Sequence, residues 1–201
     1  MDKFNKAIQI FAENKGLMRT YEAIDAGIAP KTLYAMRDAG VVTRLSRGVY
    51  SLVELGPIGN PDLITIALRV PSAVFCLITA LDYYNLTEQI PHFIYFALPQ
   101  GARRSKINHP PIQIFWLSEK TYQAGIREVT IDNILVKIYS PEKTIADCFK
   151  FRNKIGLDVA IDAIQRYFEQ PTDKQNLNTL MKYAKLNRVE KIITPYVETL
   201  L

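Results

Sequence analysis

Cysteine, histidine and tryptophan are scarce in this sequence, which has two Cys, two His and one Trp among 201 residues. Cys76 and Cys148 sit in "AVFCLI" and "IADCFK", apolar surroundings without metal-ligand spacing, which predicts small buried core residues and neither a disulfide nor a metal site. His92 and His109 lie beside prolines at the borders of expected strands, as structural or solvated side chains do. Long hydrophobic runs are missing as well. No stretch reaches the roughly 18 apolar residues of a membrane helix, and "MDKFNKAIQIF" meets charge too early for a secretion signal, so the expected location is the cytoplasm. Neither a glycine-rich phosphate loop nor a serine-centred elbow occurs, and the expectation is a protein that is not an enzyme and needs no cofactor or metal.

What is present is apolar residue and basic charge. A hydrophobic fraction of 48% supports a real core, either one domain or a small module joined to a larger one. The net charge of +5 permits nucleic-acid binding without requiring it. Between Gly27 and Val53, Lys31, Arg37, Arg44 and Arg47 face Asp38 alone. A solvated surface would carry the same charges, so geometry has to decide.

Phe4, Ala7, Ile8 and Phe11 recur at helical spacing and predict a first helix with one apolar face. In "GLMRTYEAIDAGI", Thr20 reads as an N-cap, Ala23 and Ala26 as small inward residues, and Gly27 as the helix end. Pro30 then suits the first position of another helix, "KTLYAMRDA", which Gly40 stops. Ile28, Leu33 and Met36 supply the seam of a helix-turn-helix. Lys31, Thr32, Tyr34 and Ala35 are left outward, where a recognition helix meets the major groove, and Arg37 flanks the seam within reach of a phosphate. "VVTRL", "SRG" and "VYSLV" read as two strands joined by a three-residue loop, with Gly48 in the left-handed position of a bulged hairpin. The outline is a winged helix-turn-helix, and Arg44, Ser46 and Arg47 at its tip are candidates for the DNA backbone or minor groove.

These residues carry a resemblance. "GLMRTYEAIDAGIAPKTLYAMRDAGVVTRLSRGVYSL" and, further on, "YSPEKTIADCFKFRNKIGLDVAIDAI" resemble the AbiEi antitoxin family, bacterial transcriptional regulators of abortive-infection toxin–antitoxin pairs. The resemblance implies a DNA-binding antitoxin that represses its own operon and counteracts a toxin of nucleotidyltransferase type. It places a recognition helix over Lys31 to Ala39 and a wing over Arg44 to Tyr50.

"VELGPIGNPD", Val53 to Asp62, holds four glycine or proline breakers in ten positions and reads as a linker, giving a winged-helix domain over 1–55 and a second domain over 60–201. Beyond it, "PDLITIALRV" and "SAVFCLITALDYYNL" have helical spacing. "HFIYFAL", "PIQIFWL", "REVTI" and "ILVKIYS" are strand-like and predict a small, mainly antiparallel sheet, with Asp132 and Asn133 as a turn and Trp116 in the core. Ser140, Pro141 and Glu142 open a helix as cap, first residue and first-turn anion. Val159, Ala160, Ala163, Ile164, Tyr167 and Phe168 form the buried stripe of the next. Two further amphipathic segments follow, the second bent at Pro195. The expected class is α+β.

One loop, "PQGARRSKINHPP", holds Arg103, Arg104 and Lys106 without an acid and reads as a projecting basic finger, able to contact flanking DNA phosphates, an acidic partner face or solvent alone. Two other functions stay open. One is a free-standing winged-helix repressor with a ligand-sensing second domain; the other is a DNA-binding nuclease built on Asp132, Glu142 and Asp147 with Lys137 or Lys143.

Overall fold

The computed structural model describes residues 4–56, 59–104, 106–132, 134–171 and 176–200; Pro57 and Ile58 of the expected linker, and the turn residue Asn133, lie outside them. The chain forms two compact units, one of Met1–Pro71 with Thr130–Leu135, the other of Ser72–Val129 with Val136–Leu201.

The first unit runs α1 (Asn5–Glu13), β1 (Leu17–Arg19), α2 (Thr20–Asp25), α3 (Pro30–Asp38), β2 (Val42–Ser46), β3 (Val49–Leu52) and α4 (Pro61–Arg69). Its three strands pair antiparallel in the order β1-β3-β2. Ala7 and Phe11 of α1 are buried with Ala23, Ile28, Leu33, Met36, Val42 and Tyr50, and Phe4 and Ile8 pack against them, as the helical spacing requires. Each such large apolar side chain contributes roughly 1.5 to 3 kcal/mol by leaving water. The helices α2 and α3 end in the same way. At the first, Gly27 (φ 95°) donates to the Ile24 carbonyl and Ile28 to that of Ala23; at the second, Gly40 (φ 71°) donates to Arg37 and Val41 to Met36. Both are six-to-one, five-to-two closures that need a left-handed residue.

The start of α2 differs from expectation. Thr20 is the first helical residue and its N–H donates to the Gly48 carbonyl at 2.9 Å, while Arg19 takes the cap position and its own N–H donates to the Glu22 carboxylate at 2.7 Å. The cause is β1, whose pairing with β3 extends the backbone up to Arg19. The helix after the expected linker, α4, is capped by Asn60, whose side chain accepts from the Leu63 N–H, and groups with the first unit.

The second unit contains β4 (Val74–Phe75), α5 (Leu77–Tyr83), β5 (Ile94–Pro99), β6 (Ile112–Leu117), α6 (Glu119–Gln123), β7 (Ile126–Ile131, its last residues grouping with the first unit), β8 (Ile134–Tyr139, its first two residues grouping likewise), α7 (Pro141–Lys150), α8 (Arg152–Ile155), α9 (Leu157–Glu169), α10 (Leu177–Leu186) and α11 (Glu190–Glu198). The α+β class is as expected. The five-stranded sheet, ordered β6-β5-β4-β8-β7, is mixed and not mainly antiparallel: β5 and β6 run parallel, as do β4 and β8. On α7, the Ser140 hydroxyl accepts from the Lys143 N–H at 3.3 Å and Pro141 opens the helix. Val159, Ala160, Ala163, Ile164 and Tyr167 of α9 are fully buried, with Phe168 packed beside them. Helix α11 runs through Pro195.

Strands β5 and β6 run parallel, so their connection, which carries the basic loop, is a crossover and not a hairpin. The Trp116 indole N–H of β6 donates to the Ala102 carbonyl at 3.0 Å. Trp116 is 43% exposed, a cover on the sheet surface where core was expected. Arg103, Arg104 and Lys106 are exposed.

Candidate nucleic-acid interface

Helix α3 is short, and its two faces have opposite characters. Leu33 and Met36 are fully buried, which turns Lys31 and Tyr34 outward, Tyr34 with 44% of its surface exposed. Thr32 and Ala35 lie half-buried between them. The Arg37 guanidinium sits over the Tyr34 ring at 5.4 Å and donates through Nε and Nη2 to Asp38 Oδ1 at 2.8 and 2.7 Å. Both partners are exposed, so solvent screens the pair and it adds little to stability.

The expected wing corresponds to the β2–β3 hairpin. Ser46 pairs with Val49 after a bulge between Arg44 and Ser46, which leaves a two-residue turn of Arg47 and Gly48 (φ 80°) where a three-residue loop was expected. Arg47 is exposed at the tip, and Arg44 is exposed with its Nε on the Ser46 carbonyl at 3.1 Å. The Ser46 hydroxyl is buried and without a hydrogen-bond partner, so it does not point outward with the arginines. The fold thus brings Arg44 and Arg47 to one tip and Lys31 and Tyr34 to one helix face.

Beside the wing lies a groove of about 370 Å³, lined by Arg19, Thr20, Tyr21, Ile24, Arg47, Gly48, Val49 and Arg69. The Arg19 guanidinium lies 4.5 Å over the Tyr21 ring and donates to the Leu68 carbonyl and to Glu22. Arg19, Tyr21 and Arg69 lie outside the 27–53 stretch in sequence, and the fold brings them beside Arg47. The available signal was "MRTYE", a basic and an aromatic residue at the head of the helix preceding the turn.

The order α1-β1-α2-α3-β2-β3 thus presents an outward face of α3 and a basic hairpin tip within one unit. Residues 5–53 match the family described as "Transcriptional regulator, AbiEi antitoxin". The AbiEi match therefore covers α1 through β3 and includes every candidate DNA contact from Lys31 to Arg47. Across 98% of this chain and 80% of the other, the fold is similar to the crystal structure of the RV2827C protein from Mycobacterium tuberculosis, with a TM-score of 0.55 and 12% identity. No match is found among curated proteins.

The remaining candidates are distributed elsewhere. Cys76 and Cys148 are free and buried, and burial pushes both thiols well above their usual range. His92 and His109 are exposed. The Lys143 ammonium donates to both carboxylate oxygens of Asp147 at 2.6 and 2.5 Å in the interior, whereas Glu142 accepts from the Tyr167 hydroxyl at 3.0 Å and faces Arg127 at 3.7 Å. Lys137 is half-buried on β8 and Asp132 lies in the first unit. Among the described residues no helix is long and apolar enough to cross a membrane, and no group of three His, Cys, Asp or Glu is placed to hold a metal ion.

Proposed function

We propose that this chain is a sequence-specific DNA-binding regulator, the antitoxin of a toxin–antitoxin pair, which represses its own operon through the winged helix and counteracts a toxin of nucleotidyltransferase type. The observation that carries the DNA-binding part is the surface formed by Lys31 and Tyr34 on α3 with Arg44 and Arg47 on the wing, within the span of the AbiEi match. On this reading α3 reads base edges in the major groove, while the wing arginines and Arg37 hold the phosphates. No catalytic step is assigned to the chain.

Toxin neutralisation is assigned to the second unit, because the exposed groups of α3 and the wing are taken up by DNA. Growth of cells expressing the neighbouring toxin gene tests this with the full-length chain and with an Arg44→Ala/Arg47→Ala variant. The variant is expected to lose operator binding and still protect. Loss of protection together with loss of DNA binding, in a variant that melts as the parent does, would refute the division.

A further inference from the structure

The second unit holds a cleft of about 1010 Å³ lined by Ser118, Lys120, Thr121, Ala124, Gly125, Lys150, Lys182, Tyr183, Lys185, Leu186, Asn187 and Arg188. Lys120, Lys150, Lys182, Lys185 and Arg188 are five cations, and among the described residues no carboxylate belongs to the lining. From this geometry we infer a binding site for a compact polyphosphate, either free or as the tail of a nucleotide.

Ordinary helix electrostatics do not account for so much charge. The last turns of α7 and α10, which carry Lys150 and Lys185, each present about half a negative charge, and together they offset about one of the five. Behind the wall, Lys143 and Asp147 neutralise one another and add nothing net. Asn187 joins that buried pair to the cleft, its Nδ2 donating to Asp147 Oδ1 at 2.7 Å and its Oδ1 accepting from Lys150 Nζ at 3.5 Å. Burial, with the charges of Lys143 and Arg188, holds the Lys150 ammonium below the usual lysine value against the opposing pull of Asp147. An anion in the cleft relieves that repulsion.

Arg188 is the second observation. Its φ is 60°, its N–H donates to the Lys185 carbonyl and that of Val189 to Ala184. This is the closure glycine makes at the ends of α2 and α3, where a side chain is strained. A glycine would suit the α10 turn better, and the arginine adds a charge at the lip of the cleft instead. The size and concavity also fit a small ligand, at the upper end of such sites, more closely than a flat strip for a duplex.

The test is titration calorimetry of the full chain with tripolyphosphate, ATP and a twelve-nucleotide single strand, at about 150 mM salt to screen diffuse attraction. Tripolyphosphate and ATP are expected to bind one per chain. Equal affinities assign recognition to the phosphates alone, and tighter ATP adds the nucleoside; both support the site. Arg188→Gly and Lys182→Ala should each weaken binding about tenfold, with Arg188→Gly leaving the melting temperature equal or higher. An Arg103→Ala/Arg104→Ala control should bind as the parent does. Absence of saturable binding, equal weakening in the control, or tighter binding of the oligonucleotide per phosphate would overturn the proposal.

Discussion

Tyr34, Lys31 and Arg47 show how single residues acquire roles from their neighbours. Lys31 and Tyr34 are outward because Leu33 and Met36 cannot be, and Arg47 is exposed because Gly48 turns the chain beneath it. Lys31→Ala and Tyr34→Ala should each change which sequence is preferred by about 1 to 3 kcal/mol, measured by competition between duplexes. Arg47→Ala should weaken binding to all sequences alike and reduce the salt slope by about one. Glu22 offers a test of stability. Burial alone would push its carboxyl up, but the side-chain and backbone N–H bonds of Arg19 outweigh this and hold it below the ordinary glutamate value of 4.5. A depressed carboxylate stabilises the fold fully above the unfolded value and loses that contribution as pH falls through the folded one. Glu22→Gln should therefore cost about 0.5 kcal/mol at neutral pH, given the group's partial exposure, and urea titrations should show the difference vanishing in acid. The Arg188 conformation was not readable in advance, since nothing in "LNRVE" distinguishes a strained arginine from a relaxed one.

At the scale of elements, glycines separate conformational need from crowding. Gly27 has no atom within 4 Å of an added Cβ, so Gly27→Ala carries only the cost of its positive φ, about 1 kcal/mol. Gly125 has φ 75°, and its Cβ would lie 2.7 Å from that of Lys143 and 3.1 Å from the Tyr183 ring. Gly125→Ala should cost about 3 kcal/mol or more, combining strain with overpacking; thermal denaturation of the two variants side by side checks the ranking. Elements whose signals are local were legible: α3 from Pro30 and Gly40, the wing from Gly48, α7 from Ser140 and Pro141, α9 from its stripe. Those fixed by distant pairing were not. Strand β1 has three residues and exists through β3, some thirty positions on, and the parallel partners of β5 and β8 leave no mark in alternation.

At the scale of the molecule, one basic region lies on α3 and the β2–β3 hairpin and another lines the cleft of the second unit. The first was readable because its residues lie within twenty-odd positions of one another. The cleft draws cations from 120, 150 and 182–188, and only the packing of α7 on α10, with Lys120 added from α6, brings them together. The grouping of α4 with the first unit has the same origin, since a breaker-rich stretch marks a turn in the chain without deciding which side the next helix joins. The central claim is that the α3 face and the wing of this chain read DNA. Its most direct test is the binding of the full chain to the duplex upstream of its own gene and to a shuffled duplex of equal composition, over a range of salt, with Lys31→Ala/Tyr34→Ala and Arg47→Ala alongside. The account predicts a preference for the upstream duplex that the helix variant abolishes, and an affinity falling steeply with salt that Arg47→Ala lowers on both duplexes. Equal affinity of the parent chain for the two duplexes, or variants that bind as the parent does, would contradict it.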